Sequence, residues 1–587
     1  MCAACRQQSP APAPAPAPAP EPAPPDLGPP NVVIFLIDTV RADHVSAYGY
    51  RRETWPNFDR FAADNVLFAN AYAPSPWTRP SVTSIFTGAY PQTHDVQKRQ
   101  DVLADDFDTL AEVLRARGYA TAMLNTNPHI TEAFNLPQGF ERIVEVMPNP
   151  DELKDGNRAD VVARHLDQLA PTLVEPFFLY VHVIDPHYPY DPPREHLEAL
   201  GIKAQRPNSL TRYDGELRAV DHHINTMMEL LERHGRWQRT IAVVTSDHGD
   251  EFHDHDNIGH GKTLYQEVVK VPMALRLPTS LRGGLGPTEE GAGYPRPRIE
   301  HNVSLVDLMP TLLELLEIEA PTDLDGESLV PLLRGEDPPR LARRPLYFSV
   351  AKERASQAGV LIGQTKLIFD RSSKRRELYR LDLDPREQTP DPRGDAALRE
   401  LRQELERLLR AFEASIEPGL HLELASEDDR EDSQRLLVTL ETDGRFVDVE
   451  AHGFEESDHF DLSQGGKTLV VDARQVAVLH QSPKTMHVQD RDALSFDLEP
   501  ATAKLSVMVE RDGNRPGLSI MRTPRVRYGE WPIALTRAEL FERTGRALVD
   551  RRKSGIYLYA RAERSRQQAG PLSTDLTEAL KSLGYLQ

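Results

Sequence analysis

Three apolar runs in this chain end in an acid, or in an acid beside a histidine, and chemistry can start from those residues. The run Asn31–Ile37 ends at Asp38. Phe177–Val183 leads into Ile184, Asp185, Pro186 and His187, and Thr240–Thr245 into Ser246, Asp247, His248 and Gly249. Carboxylate oxygens with an imidazole nitrogen suit a divalent cation. The stretch Ser75–Gly88 adds a hydroxyl and a guanidinium, Thr78 and Arg79. Pro80 reads there as the first residue of a helix over Ser81–Phe86 that Gly88 closes. Thr78 and Arg79 then sit at a helix start, where backbone N–H groups and the helix dipole favour an anion. A hydroxyl next to a cation is equipment for attack on a phosphate or sulfate ester. The cation lowers the hydroxyl pKa and polarises the ester, while nearby Arg, Lys and His groups stabilise its equatorial oxygens. Alone, the stretch reads more readily as an ordinary capped helix, and the rest of the chain tips the balance.

The three runs are short, apolar and β-rich, as strands buried in a parallel sheet are. Helical patterns lie between them over Asp108–Arg117, Arg158–Leu169 and Arg212–His234. Strands alternating with helices predict an α/β unit whose ligands bind beyond the carboxyl ends of the strands. Leu305–Leu316 reads as a helix kinked at Pro310, and residues 345–384 as strands and turns followed by a charged helix, Ala396–Phe412. From about 416 the pattern alternates, with strands predicted at Leu436–Thr442, Phe446–Ala451, Thr468–Asp472, Leu505–Glu510 and Gly555–Ala560. Turn signals at Thr442-Asp443-Gly444 and Arg511-Asp512-Gly513 separate them, as in a β-sandwich-like accessory unit with no chemical motif. The expected organisation is a tether at 1–30, a catalytic domain at 31–415 and a β-rich accessory region with a C-terminal helix at 416–587.

The 587 residues exceed a single core, and 39% hydrophobic with 27% charged residues is a globular composition. A formal charge of −21 argues against a general nucleic-acid binder. Both cysteines, Cys2 and Cys5, lie at the extreme N-terminus, so residues 6–587 offer no disulfide, cysteine nucleophile or thiolate metal site. No apolar run is long enough to span a membrane. Cys2-Ala3-Ala4-Cys5 is similar to the end of a bacterial lipoprotein signal, which predicts a lipidated Cys5, membrane attachment and a periplasmic or cell-surface location. The apolar segment expected before it is missing, so either the true start lies upstream of Met1 or the match is a cloning artefact. Residues 9–30, dominated by Pro and Ala, read as an extended spacer of roughly 60 Å, a tether or an inert linker.

From about residue 30 to 390 the motifs together resemble the sulfatase family of the alkaline-phosphatase superfamily. Asn31 to His44 with Tyr48-Gly49-Tyr50 is similar to that family's opening metal-binding strand and loop, and Thr87 to His94 to the helix end after its nucleophile. Asp185 to Tyr190 resembles its substrate-binding loop, which implies that His187 contacts the ester. Ser246 to Gly249, His260 to Tyr265 and Val271-Pro272 resemble its second metal motif and lysine, and Glu377 to Asp382 with Asp384-Pro385 its C-terminal hairpin. The fold implied is a sulfatase/alkaline-phosphatase-like parallel-sheet sandwich with a C-terminal β-rich accessory domain.

The departures bear on the reaction. The family carries Cys or Ser, oxidised to formylglycine, in a Cys/Ser-x-Pro-Ser-Arg motif. Counting back from Gly88 without gaps, this chain has Thr78-Arg79-Pro80-Ser81-Val82, so threonine stands at the convertible position and no formylglycine is expected. A register shifted to Ser75-Pro76-Trp77-Thr78-Arg79 keeps a serine and an arginine but requires a three-residue insertion. A second family Asp is Thr39 here, and the family's Gly-Lys-Trp-His segment corresponds to Asn125–His129, without the lysine. Phosphoryl-transferring relatives use an unmodified threonine, which makes a Thr78 phospho-enzyme intermediate reasonable.

The resulting expectation is one divalent cation (Ca2+, Mn2+ or Mg2+) on Asp38, Asp247, His248 and the Thr78 nucleophile. Arg79, His187 and Lys262 would bind the ester oxygens, with His260 as leaving-group acid and His94, Lys98 and His129 as further candidates. His253 and His255 read as solvated loop residues. The substrate would be an anionic ester, a sulfated or phosphorylated small molecule, glycan or lipid, with no nucleic-acid partner. The alternatives are a phosphoryl or phosphodiester transferase using unmodified Thr78, and a non-catalytic sulfatase-fold binding protein.

Overall fold

The computed structural model describes residues 28–146, 158–282, 285, 294, 297–321, 324–391 and 396–416. Toward the C-terminus it describes 419–425, 434–452, 459–463, 465–475, 491–500, 503–511, 519–520, 535–536, 555–561 and 568–583. The tether through residue 27, with Cys2 and Cys5, and the turn residues Asp512 and Gly513 lie outside the described residues.

Strand β1 is Asn31–Ile37, and all seven of its residues are buried. Val32, Ile34 and Leu36 enter one apolar core, while Val33, Phe35 and Ile37 enter the other. A strand covered on both faces has no polar side, hence its continuous apolar run. β1 lies at the centre of an eight-stranded sheet with β2 (Val66–Tyr72), β3 (Ala120–Asn125), β4 (Arg142–Glu145), β5 (Phe177–Val183), β6 (Thr240–Ser246), β9 (Lys270–Arg276) and β10 (Arg298–Ser304). A small hairpin, β7 (Glu251–Phe252) and β8 (Ile258–Gly259), lies outside this sheet. The order is β10-β2-β9-β6-β1-β5-β3-β4, and β1 pairs in parallel with both β5 and β6. The sheet is mixed, because β9 runs antiparallel to β2 and β6.

Helices Pro56–Ala63 (α1), Arg158–Leu169 and Ser209–Arg233 cover one face, and Thr78–Thr87 (α2), Leu110–Ala116 and Leu308–Leu315 the other. α2 starts two residues earlier than Pro80 predicted, so Thr78 is its first residue. Proline is tolerated at the third position because the first helical N–H groups have no intrahelical partner. Gly88 closes the helix in the left-handed region at φ 63°. The same rule removes the expected kink at Pro310. The chain makes a 3-10 turn at Leu305–Asp307, and a new helix begins at Leu308 with Pro310 third in it.

A second, antiparallel sheet follows: β11 (Leu346–Val350), β12 (Gln357–Ile362), β13 (Thr365–Asp370) and β14 (Arg375–Arg380). The helix Ala396–Ser415 packs Leu405, Leu408, Leu409 and Phe412 onto it. Beyond it come two five-stranded sheets, Arg445–His452/Arg491–Glu499/Gly419–Ala425/Gly555–Arg561/Ser519–Ile520 and His459–Leu462/Thr468–Gln475/Gln434–Thr442/Lys504–Arg511/Leu535–Thr536. The final helix, Thr574–Ser582, does not stay with them. Its Leu576 and Leu580, with Leu583 just beyond, join the core of the first unit, where Gln568 bridges to Asp101.

Candidate active site

Strand register fixes the centre. Ile37 pairs with Ser246 and with Val183, so the residues that follow β1 and β6, Asp38 and Asp247, emerge side by side at the carboxyl edge of the sheet. Asp38, Asp247 and His248 are fully buried and bring one ligand atom each within 4.8 Å of one another. Nε2 of His248 lies 3.7 Å from Oδ1 of Asp38 and 3.4 Å from Oδ2 of Asp247. Nδ1–H of His248 donates to the Gly249 carbonyl at 2.9 Å, which leaves Nε2 as the lone-pair nitrogen facing the carboxylates. Oδ1 of Asp247 accepts from the N–H groups of Thr39 and His248, while its buried Oδ2 has no hydrogen-bond partner. Burial, with Asp38 alongside, raises the Asp247 carboxyl well above its ordinary value, and burial, with His260 alongside, lowers His248 well below its own. Converging carboxylates, an imidazole lone pair and an orphaned oxygen fit a divalent cation.

Thr78 completes this centre. It is fully buried, and its Oγ1 lies 3.3 Å from Nε2 of His248. Ser81, one turn on, donates through Oγ to the Asp247 carbonyl at 2.7 Å and ties the start of α2 to the metal loop. Ser75 donates to the Ser349 carbonyl on β11, which spends its hydroxyl on the second sheet.

The other expected residues divide. His187 and His260 reach the centre, with their rings 5.0 Å apart and the His260 ring 4.4 Å from that of His248. His187 directs Nδ1–H at the Tyr188 carbonyl, 2.6 Å away. Nδ1 of His260 lies 3.0 Å from Oδ1 of Asp250, whose other oxygen accepts from the Tyr190 hydroxyl. Burial and the charges of Lys352 and Lys262 hold His260 well below its usual value.

Arg79 is buried, but its guanidinium is directed at the 99–101 loop. It donates to the carbonyls of Arg99 and Asp101 and to Nδ1 of His129 at 2.7 Å, and it stacks 3.3 Å over the Phe134 ring. His129 therefore holds Arg79. His94 packs behind α2, with its nitrogens on Ser84, the Pro80 carbonyl and the Val96 N–H. Lys98 is exposed. Lys262 is also exposed and donates to the Ile258 carbonyl at 2.8 Å. His253 is exposed as expected, but His255 is not a solvated residue: it bonds Glu267 and the Glu387 carbonyl and stacks on Tyr265.

Three further residues belong to the site. Asn127 donates through Nδ2 to Oδ2 of Asp38 at 2.5 Å. His182, on β5, lies 3.3 Å from the same oxygen and is lowered to about 4 by burial. Lys352, just after β11, is 9% exposed and sits 4.8 Å over the Trp77 ring, beside Gly261. Burial and nearby Arg99 lower its amine to about 7. Asn127 falls in the segment aligned with the family's Gly-Lys-Trp-His, which was the available signal for it. Lys352 had none.

A family model described as sulfatase matches residues 30–318, and one described as N-sulphoglucosamine sulphohydrolase, C-terminal, matches residues 259–415. The chain is 23% identical over 444 residues to an arylsulfatase of Clostridium perfringens, which covers 61% of this chain and 89% of that protein. It is 23% identical over 472 residues to an N-acetylglucosamine-6-O-sulfatase of Bacteroides thetaiotaomicron, with 61% and 82% covered. Among solved structures, the phosphonate monoester hydrolase of Agrobacterium radiobacter superposes with a TM-score of 0.53 at 22% identity, covering 66% of this chain and 96% of that one.

Proposed function

The chain belongs to the sulfatase family and is a sulfatase-like ester hydrolase, and from that premise we propose that it cleaves its sulfate or phosphate ester by direct attack of the unmodified Thr78 hydroxyl. One observation carries this: Thr78 Oγ1 lies 3.3 Å from the lone-pair nitrogen of His248, at the start of α2 and against the Asp38–Asp247 pair. A divalent cation on Asp38, Asp247 and His248 would supply the charge that makes the hydroxyl acidic and polarises the ester.

The rest falls to the chain's own side chains. Asn127 holds the Asp38 carboxylate, and Ser81 and the Gly249 carbonyl hold Asp247 and His248 in register. Arg79 fixes the start of α2 against the 99–101 loop. His187 and Lys352 are the groups for the ester oxygens. With its amine near neutrality, Lys352 takes the proton-donor role instead of His260, whose Nδ1–H is directed at Asp250. Lys262, at the exposed rim, contacts the part of the substrate outside the centre.

A formylglycine hydrate carries a second hydroxyl that can expel sulfate by C–O cleavage, whereas a threonine ester must be resolved by a second attack at sulfur or phosphorus. Relatives named for aryl sulfate and sugar sulfate chemistry, together with a phosphonate monoester hydrolase fold, support testing both elements. The test assays purified protein with matched aryl sulfate, phosphate monoester, phosphonate monoester and phosphodiester, with and without Mn2+ or Ca2+, alongside Thr78→Ala. Metal-dependent turnover that Thr78→Ala abolishes is expected. Turnover that survives Thr78→Ala excludes this nucleophile, and inertness toward every ester while the cation binds favours a binding protein.

A further inference from the structure

A second group of ligand-type side chains converges where the 247–262 loop meets the segment leading into β9. Glu251 on β7, His255 after it and Glu267 on the short helix Gln266–Val269 place one ligand atom each within 4.8 Å of one another. Glu251 is fully buried and Glu267 nearly so. Neither carboxylate oxygen of Glu251 has a hydrogen-bond partner. Burial and the neighbouring Glu267 raise its carboxyl to about 8, and the nearby Thr263 hydroxyl, short of bonding geometry, offsets this only in part. A fully buried carboxylate with both oxygens unmatched is costly unless something of opposite charge meets it.

The histidine is held as a ligand would be. Nε2–H of His255 donates to the Glu387 carbonyl at 2.9 Å, and the ring stacks on Tyr265 with centroids 3.7 Å apart. Nδ1 lies 2.5 Å from Oε1 of Glu267, an ion-pair contact in which a proton, or a cation in its place, sits between the two. A backbone carbonyl on the far nitrogen is the usual outer partner of a metal-bound imidazole. An imidazole nitrogen and two carboxylates aimed at one point need either protons or a cation between them.

We propose that Glu251, His255 and Glu267 form a second divalent-cation site, separate from the Asp38–Asp247–His248 centre. Two carboxylates with one imidazole suit Mn2+ or Zn2+ better than Ca2+, which takes oxygen ligands. The site joins three segments: the metal loop through Glu251 and His255, the entry to β9 through Glu267, and the β14 side through Glu387, whose carboxylate also accepts the Gln266 N–H at 2.7 Å. Its role is to fix the loop that carries Asp250 and His260. The proposal does not depend on which ester is cleaved.

The rival is a metal-free cluster neutralised by protons on Glu251 and His255. Metal content after equilibration with Mn2+ and gel filtration separates the two. The full chain should retain a second equivalent, and Glu251→Gln and Glu267→Gln should each lose one while keeping the other. Asp247→Asn, which damages only the first centre, should still bind Mn2+ with a histidine-nitrogen coupling in its paramagnetic resonance spectrum. That coupling should vanish when His255→Gln is added. This arm needs no stable Glu251 variant. Wild-type protein that saturates at one equivalent, or Asp247→Asn protein that retains no Mn2+, overturns the proposal.

Discussion

The hydroxyl oxygen of Thr78 stands 3.3 Å from Nε2 of His248, and the opposite nitrogen of that ring is spent on the Gly249 carbonyl. The contact joins the first residue of α2 to the residue that follows the β6 carboxylate. It puts a nucleophile-type oxygen against a ligand set.

Asn127 is the outer support of that set, through its bond to Oδ2 of Asp38. Asn127→Ala should weaken divalent-cation affinity about 10- to 100-fold. Titration calorimetry with Mn2+ checks this, and at saturating metal most of the lost turnover should return.

Lys352 sets a pH limb. Burial, with Arg99 beside it, brings its amine to about 7. Below that pH it carries the positive charge that binds an anionic ester and donates a proton, and above it the charge is lost. kcat/KM should therefore fall as pH rises through about 7 in wild-type protein. Lys352→Met should be slow at all pH values and lack this limb, while Lys352→Arg should recover binding without the proton-donor step.

Gly249 leaves no room for a side chain. A Cβ there would run into the Glu267 backbone carbonyl, which cannot rotate away as a side chain would. Gly249→Ala should cost about 1–3 kcal/mol of stability and displace His248. Thermal unfolding and metal affinity should both fall.

Much of the fold was legible because parallel strands buried on both faces are continuous apolar runs. β1 and β5 have the bounds their sequences predicted, and β6 runs one residue longer. The residues just beyond β1 and β6, Asp38, Asp247 and His248, meet because the two strands are neighbours. Thr78, reached by counting back from Gly88, lies at the start of α2 beside His248. Arg79 was placed correctly in the chain, but the direction of its guanidinium depends on carbonyls of a loop that no local pattern announces. Lys352 lies far along the chain, and only the docking of β11 near α2, through Ser75 and Ser349, brings it over Trp77. His255 looked solvated because its loop is full of charges, and its partners Glu267 and Glu387 come from other segments.

The central claim is that Thr78 itself carries the transferred group. The direct measurement is rapid acid quench of the enzyme during turnover of an aryl phosphate or aryl sulfate, followed by peptide mass mapping. A phosphoryl or sulfuryl adduct on Thr78, absent from Thr78→Ala protein, is the predicted result. An adduct on Ser75 or Ser81, or full turnover by Thr78→Ala, would contradict it.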